Sequence, residues 1–181
     1  MQDGLTAHYL SDAIRQFRDL KALADGAMAQ IDDHDLFTML DEEANSIAVL
    51  LKHVAGSMRT RWAGFPATAE DEQGRDRDSE FMTAEGDTKE MLIEQWETGW
   101  QYLFAALEHL TPEDMAKIVH IRGKPLSVIE AGNRQLTHYA YHVGQIVFLA
   151  KHFRSGAWQS LSIPRGESTE FTAGARQRRE T

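Results

Sequence analysis

Cysteine is missing from this chain altogether. That excludes disulfides, zinc ribbons and thiol nucleophiles, so any metal must be held by His, Asp or Glu, and any thiol chemistry needs a thiol brought by a cosubstrate. Positive charge is scarce as well: 19 Lys and Arg stand against 28 Asp and Glu, a formal net charge of −9. This balance argues against nucleic acid as the main partner, since neutralising phosphates takes clustered Lys and Arg. No apolar run approaches the ~20 residues that cross a bilayer, so no membrane partner is expected. The opening residues, Met1-Gln-Asp-Gly-Leu-Thr6, lack a basic segment followed by an apolar one. No signal peptide is read there, and the expected location is the cytoplasm.

What is present is helical periodicity. With 42% hydrophobic and 26% charged residues over 181 positions, the composition is that of one domain with a substantial core. A first apolar stripe runs Leu10, Ile14, Phe17, Leu20, Leu23 and on to Ile31. A second helix is predicted from about Asp41 to Trp62, ending before Gly64-Phe65-Pro66, with Glu42 and Glu43 in its first turn as partners of the helix dipole. A third starts near Asp87, which can cap while Glu90 completes a box-like pattern, and carries Leu92, Trp96, Trp100, Leu103 and Leu107. Trp96 and Trp100 read as core or dimer-interface aromatics. The fourth runs from about Ser127 to Phe153.

Between these helices the pattern changes. Residues 67–86 form a polar, strongly charged connection, long enough to be either mobile or functional. Thr111-Pro-Glu-Asp114 reads as a capped single turn, and Lys117–Arg122 alternates ahead of Gly123-Lys-Pro125, which predicts a short β-hairpin. Four long helices with little strand predict an all-α four-helix bundle over residues 1–171, with 172–181 a loose tail.

The feature that asks for specific chemistry is His138-Tyr-Ala-Tyr-His142. Two imidazoles four residues apart stand one helical turn above each other and can reach one ion. On a wheel of ~100° per residue, His142 falls in the apolar stripe with Tyr139 and Ile146, and His138 at its margin. Of the other histidines, His8, His34, His109 and His152 read as surface residues, and His120, in the hairpin, reads either as surface or as lining a site. His53 lies beside the stripe of the second helix, next to Gly56 and Ser57, whose small side chains permit close packing or leave room for a ligand. By itself His53 reads either as a buried histidine or as a third ligand.

Asn45-Ser-Ile-Ala-Val-Leu-Leu-Lys-His-Val-Ala-Gly56 and His138-Tyr-Ala-Tyr-His-Val-Gly-Gln-Ile146 resemble the two signature helices of the DinB/YfiT-like superfamily. Blocks similar to Arg77-Asp-Ser-Glu-Phe81, Ile121-Arg-Gly123 and Ser160-Leu-Ser-Ile-Pro-Arg-Gly166 place the likeness in an uncharacterised, domain-of-unknown-function branch. The resemblance spans the first helix to about Phe171. It implies an up-down-down-up bundle, a homodimer, and a divalent metal (nickel, zinc, iron or manganese) on His53, His138 and His142. It further implies a metal-dependent transferase or hydrolase acting on a small molecule, with the metal activating a low-molecular-weight thiol or a water. A non-catalytic dimer with a structural or stress-related metal is the alternative. Ala69-Glu-Asp-Glu-Gln-Gly74 departs from the branch pattern.

Around these ligands, Gln145 reads either as a partner of a ligand histidine or bound water, or as a boundary residue. Arg134 is placed to pair with a carboxylate of the charged connection. Arg59 and Arg61, with Trp62, read either as an anion site or as a solvated helix end. Tyr139 reads as core.

Overall fold

A computed structural model of the chain describes residues 2–67 and 75–172. The departure at 69–74 and the tail from 173 lie outside them. The chain is mostly helical, with one small antiparallel sheet. In order it forms α1 (Gln2–Met28), α2 (Asp33–Phe37), α3 (Ile47–Trp62), α4 (Lys89–Glu108), β1 (Ile118–Ile121), β2 (Lys124–Ser127) and α5 (Val128–Arg154). Single 3-10 turns cover Asp78–Phe81, Pro112–Ala116 and Ser155–Ala157. No helix is long and apolar enough to cross a membrane among the described residues.

The apolar stripes meet in one core. Phe17 of α1, Trp62 of α3, Trp100 of α4 and Tyr139 of α5 are all buried, and the Phe17 ring stands 6.1–6.5 Å from the other three. Such tilted and edge-on pairs add to the burial that drives helices together. Trp96 and Trp100 lie wholly in this core, which removes them from any surface interface. The indole of Trp62 donates to the Tyr139 hydroxyl at 3.2 Å, and that of Trp96 to Asp25 at 2.9 Å, so neither N–H is buried unpaired.

Two helix starts differ from their sequence reading. Asp41 does not open α3; its carboxylate accepts from the backbone N–H groups of Glu43 and Ala44 in a turn of its own. The helix begins at Ile47, where Ser46 caps it by accepting from Val49 N at 3.2 Å. Glu42 and Glu43 therefore precede the helix instead of complementing its dipole. At α4 the cap is Thr88, accepting from Met91 N, because Asp87 is drawn to Lys52 of α3 and to Ala84 N, both at 2.8 Å. α5 starts at Ser127 as expected, with a reciprocal cap from Glu130.

The hairpin forms, with Val119 opposite Leu126 and Ile121 opposite Lys124. Its turn is Arg122-Gly123, not Gly123-Lys-Pro125, and Pro125 lies within β2. In a two-stranded sheet both strands are edges, where proline is tolerated. After α5 the chain returns to α1, where the Gln30 side chain brackets the backbone of Gln159 with two hydrogen bonds. The segment up to Leu161 is thus fixed against the α1 end, with Trp158 and Leu161 packed on the core.

Candidate metal centre

α3 and α5 carry three imidazoles to one point. His53 is 4% exposed and His142 6%. Their ring centroids stand 5.0 Å apart, with His138 at 5.4 Å from His53 and 4.9 Å from His142. One nitrogen of each lies within 4.8 Å of the others, so a single ion could be held by all three.

The outer nitrogens are held from behind. His53 Nδ1 donates to Glu80 Oε2 at 2.9 Å. That carboxylate also takes a two-pronged pair of bonds from Arg75, each 2.7 Å. Burial alone would push Glu80 up; the bonds and charges of His53 and Arg75 outweigh it and hold the carboxyl below its usual range. His142 Nδ1 donates to Gln145 Oε1 at 2.9 Å. With Nδ1 carrying the proton in both rings, each Nε2 presents its lone pair inward, the second-layer arrangement that orients histidine ligands.

Three observations fit a metal here. His142 Nε2 is buried with no hydrogen-bond partner, and a buried polar atom left so calls for an explanation. His53 Nε2 and His138 Nε2 are 3.3 Å apart. That matches ~3.3–3.4 Å, the edge of a tetrahedron with metal–nitrogen bonds of ~2.0–2.1 Å. Finally, the site keeps His138 and His142 neutral. Burial lowers His138 to about 3, with His142, His53, Arg75 and Arg134 pushing the same way. Burial likewise lowers His142 to about 4. A metal needs the neutral ring.

Gly56 and Glu80 explain each other. A Cβ on Gly56 would stand 2.8 Å from Glu80 Cδ, so the room beside His53 is filled by the carboxylate that orients it. Glu80 arrives on the 3-10 turn Asp78–Phe81, and the next residue, Phe81, packs its ring 4.6 Å from that of His53. Sequence reasoning placed Glu80 in a block without giving it a role. Its only local sign was its place within Arg77–Phe81, 27 residues from the histidine it serves.

Gln145 is the hydrogen-bond partner of His142. Tyr139 is core, and burial raises its hydroxyl to about 12. Among the described residues Arg134 makes no ion pair; instead it lines a cavity of about 300 Å³ shared with His53 and His138. Arg61 borders the same cavity, whereas Arg59 borders a separate one beside Lys52 and Glu94. His34 and His120 are exposed and apart from the triad.

No curated protein and no solved structure matches the chain. Residues 4–167 match a family whose description is "Protein of unknown function (DUF1572)", and the chain belongs to that family.

Proposed function

We propose that the chain is a divalent-metal enzyme built as a DinB-like four-helix bundle, with His53, His138 and His142 as ligands and the remaining positions left to water or substrate. The observation that carries this reading is the buried, partnerless Nε2 of His142, aligned with two further imidazoles by Glu80 and Gln145. Nickel, zinc, iron and manganese all suit three nitrogen donors. A bound ion would act as a Lewis acid, lowering the pKa of a thiol or water and polarising a substrate. The protein's share is to fix the rings, keep His138 and His142 unprotonated and admit a small molecule through the cavity that His53 and His138 line.

A structural metal is the second reading, and it needs a fourth protein ligand. Among the described residues the candidate ligand group holds three histidines only, while Glu80 sits on the outer nitrogen of His53. That favours the open, catalytic form. The absence of cysteine accords with a thiol brought in as cosubstrate, of low molecular weight to suit the cavity.

Elemental analysis of the purified protein tests the site. We expect about one divalent ion per chain and its loss in His142→Ala with helical content retained. Metal content unchanged in that variant would sink the assignment. A panel of low-molecular-weight thiols then tests the chemistry, by metal-dependent conjugation to an electrophile; if every thiol reacts at the metal-free rate, the transferase version fails.

A further inference from the structure

We infer that Gln135 is the polar anchor of the substrate: its carboxamide oxygen accepts a hydrogen bond from a neutral N–H or O–H group of the molecule whose reacting end the triad receives. Gln135 belongs to α5 and lines the same cavity as His53 and His138. It is 3% exposed, and its Oε1 is buried with no hydrogen-bond partner among the described residues. A carboxamide oxygen shut away from water without a donor destabilises a fold, and a methionine of similar size would not. Ala131 and Tyr139, one turn to either side, are buried members of the core, so packing alone asks for an apolar side chain here.

Other polar side chains of the helix are satisfied within the protein. Thr137 donates to the backbone carbonyls of Asn133 and Arg134 at 3.1 and 3.0 Å. Gln145 accepts from His142 Nδ1 at 2.9 Å. Of the two glutamines in α5, the exposed one therefore has a partner in the protein, whereas the buried one leaves its oxygen without any. A buried polar atom of this kind calls for an explanation, and its place on the cavity wall points to a ligand.

Helical spacing sets what the anchor can hold. Gln135 precedes His138 by three residues, and side chains so spaced are neighbours, with ~5–6 Å between Cβ atoms. One small molecule can bind an ion at the triad through one end and reach Oε1 with a group only a few bonds away. An acceptor oxygen requires a donor. An ammonium is disfavoured beside a divalent cation in a buried site, which leaves the N–H of an amide or the O–H of a hydroxyl. The inference rests on the proposed function: the triad fixes where the reacting end lies, and Gln135 fixes how the remainder is turned.

Three thiols with the same two-carbon arm test this: N-acetylcysteamine carries an amide N–H, 2-mercaptoethanol a hydroxyl, and ethanethiol no donor. Each would be titrated into zinc-loaded and chelator-treated, isotopically labelled protein. Nuclear magnetic resonance would follow the side-chain amide of Gln135, identified by its loss in Gln135→Met. We expect at least one donor-bearing thiol to shift this resonance and to bind the zinc-loaded parent about three- to tenfold more tightly than ethanethiol, the worth of one neutral hydrogen bond. Gln135→Met should erase that preference while melting at or above the parent's temperature, because no protein group loses a partner. Preference for N-acetylcysteamine alone identifies an amide-bearing substrate, and for 2-mercaptoethanol alone a hydroxyl-bearing one. No preference in the parent, or a preference that survives in Gln135→Met, overturns the inference, as does a variant that melts lower with its binding unchanged. Zinc uptake without any donor preference leaves the metal reading standing and removes the anchor. A Gln135 resonance that answers to a donor in protein that takes up no zinc upholds the anchor and refutes the metal reading, so the two fail separately.

Discussion

Glu80 reaches His53 because residue 56 has no side chain, and this gives the candidate metal centre a sensitivity that a ligand inventory misses. The carboxylate is shared between His53 Nδ1 and Arg75, all three groups being shielded from solvent. Glu80→Gln keeps an oxygen to accept from Nδ1 but gives up the charge that Arg75 requires. Partners of this kind are worth about 10- to 100-fold in metal affinity. We expect competition titration against a chromophoric chelator to show a loss of that size in Glu80→Gln. Gly56→Ala should match it, because the added methyl displaces the carboxylate. Affinity unchanged in both variants would show that His53 needs no orienting partner. At this scale the sequence offered two candidate ligands through their i,i+4 spacing, while His53 read either way until the resemblance singled it out. Glu80 was hidden because its contact depends on how a charged connection folds back over α3.

The elements were legible wherever one local preference acted alone. Ser127 at the start of α5 and Thr111 at the start of the 3-10 turn each cap as read, because the acid three residues on, Glu130 or Asp114, closes a reciprocal box with them. The starts of α3 and α4 moved because acidic side chains found other partners. Asp41 closed its own turn, and Asp87 was claimed by Lys52, a residue 35 positions away. Asp87 is consequently a tie between the 75–88 segment, which brings Glu80, and α3, which brings His53. Desolvation raises its pKa, but the Lys52 ammonium and the Ala84 N–H bring it below the usual carboxylate value. The folded pKa lies under the unfolded one, so the tie is fully present above the unfolded pKa of ~3.9 and is lost as pH falls through the folded value. Asp87→Asn should cost about 1 kcal/mol at pH 7, as for a hydrogen-bonded pair near the surface. The difference from the parent should hold down to about pH 5 and close as the medium turns more acidic than pH 4. Urea unfolding at a series of pH values measures it, and a gap that widens on acidification contradicts the sign.

At the scale of the molecule, periodicity was enough for a mostly helical chain with one hairpin, because apolar stripes report directly on which faces are buried. The cavity beside the triad was not legible. Its walls come from α3, from the segment before the 3-10 turn, from the hairpin turn and from α5, and only folding gathers them. The triad likewise joins two helices that the sequence separates by 85 positions, His53 to His138. An ion bound there links α3 to α5 in the folded state alone and must stabilise the whole fold. At a hundred times the dissociation constant the gain is about 2.7 kcal/mol. Each kcal/mol moves the midpoint of a chain this long by roughly 2–4 °C, so a rise of roughly 5–10 °C is expected. Calorimetry of chelator-treated protein with nickel or zinc restored checks this. A second group, Asp32, His34 and Asp35, also brings three donors within reach of one ion, but it belongs to the exposed start of the five-residue α2. An ion there would tie the core helices to nothing. The rise should therefore vanish in His142→Ala and survive His34→Ala; the opposite result would move the site to α2 and remove the metal from the core.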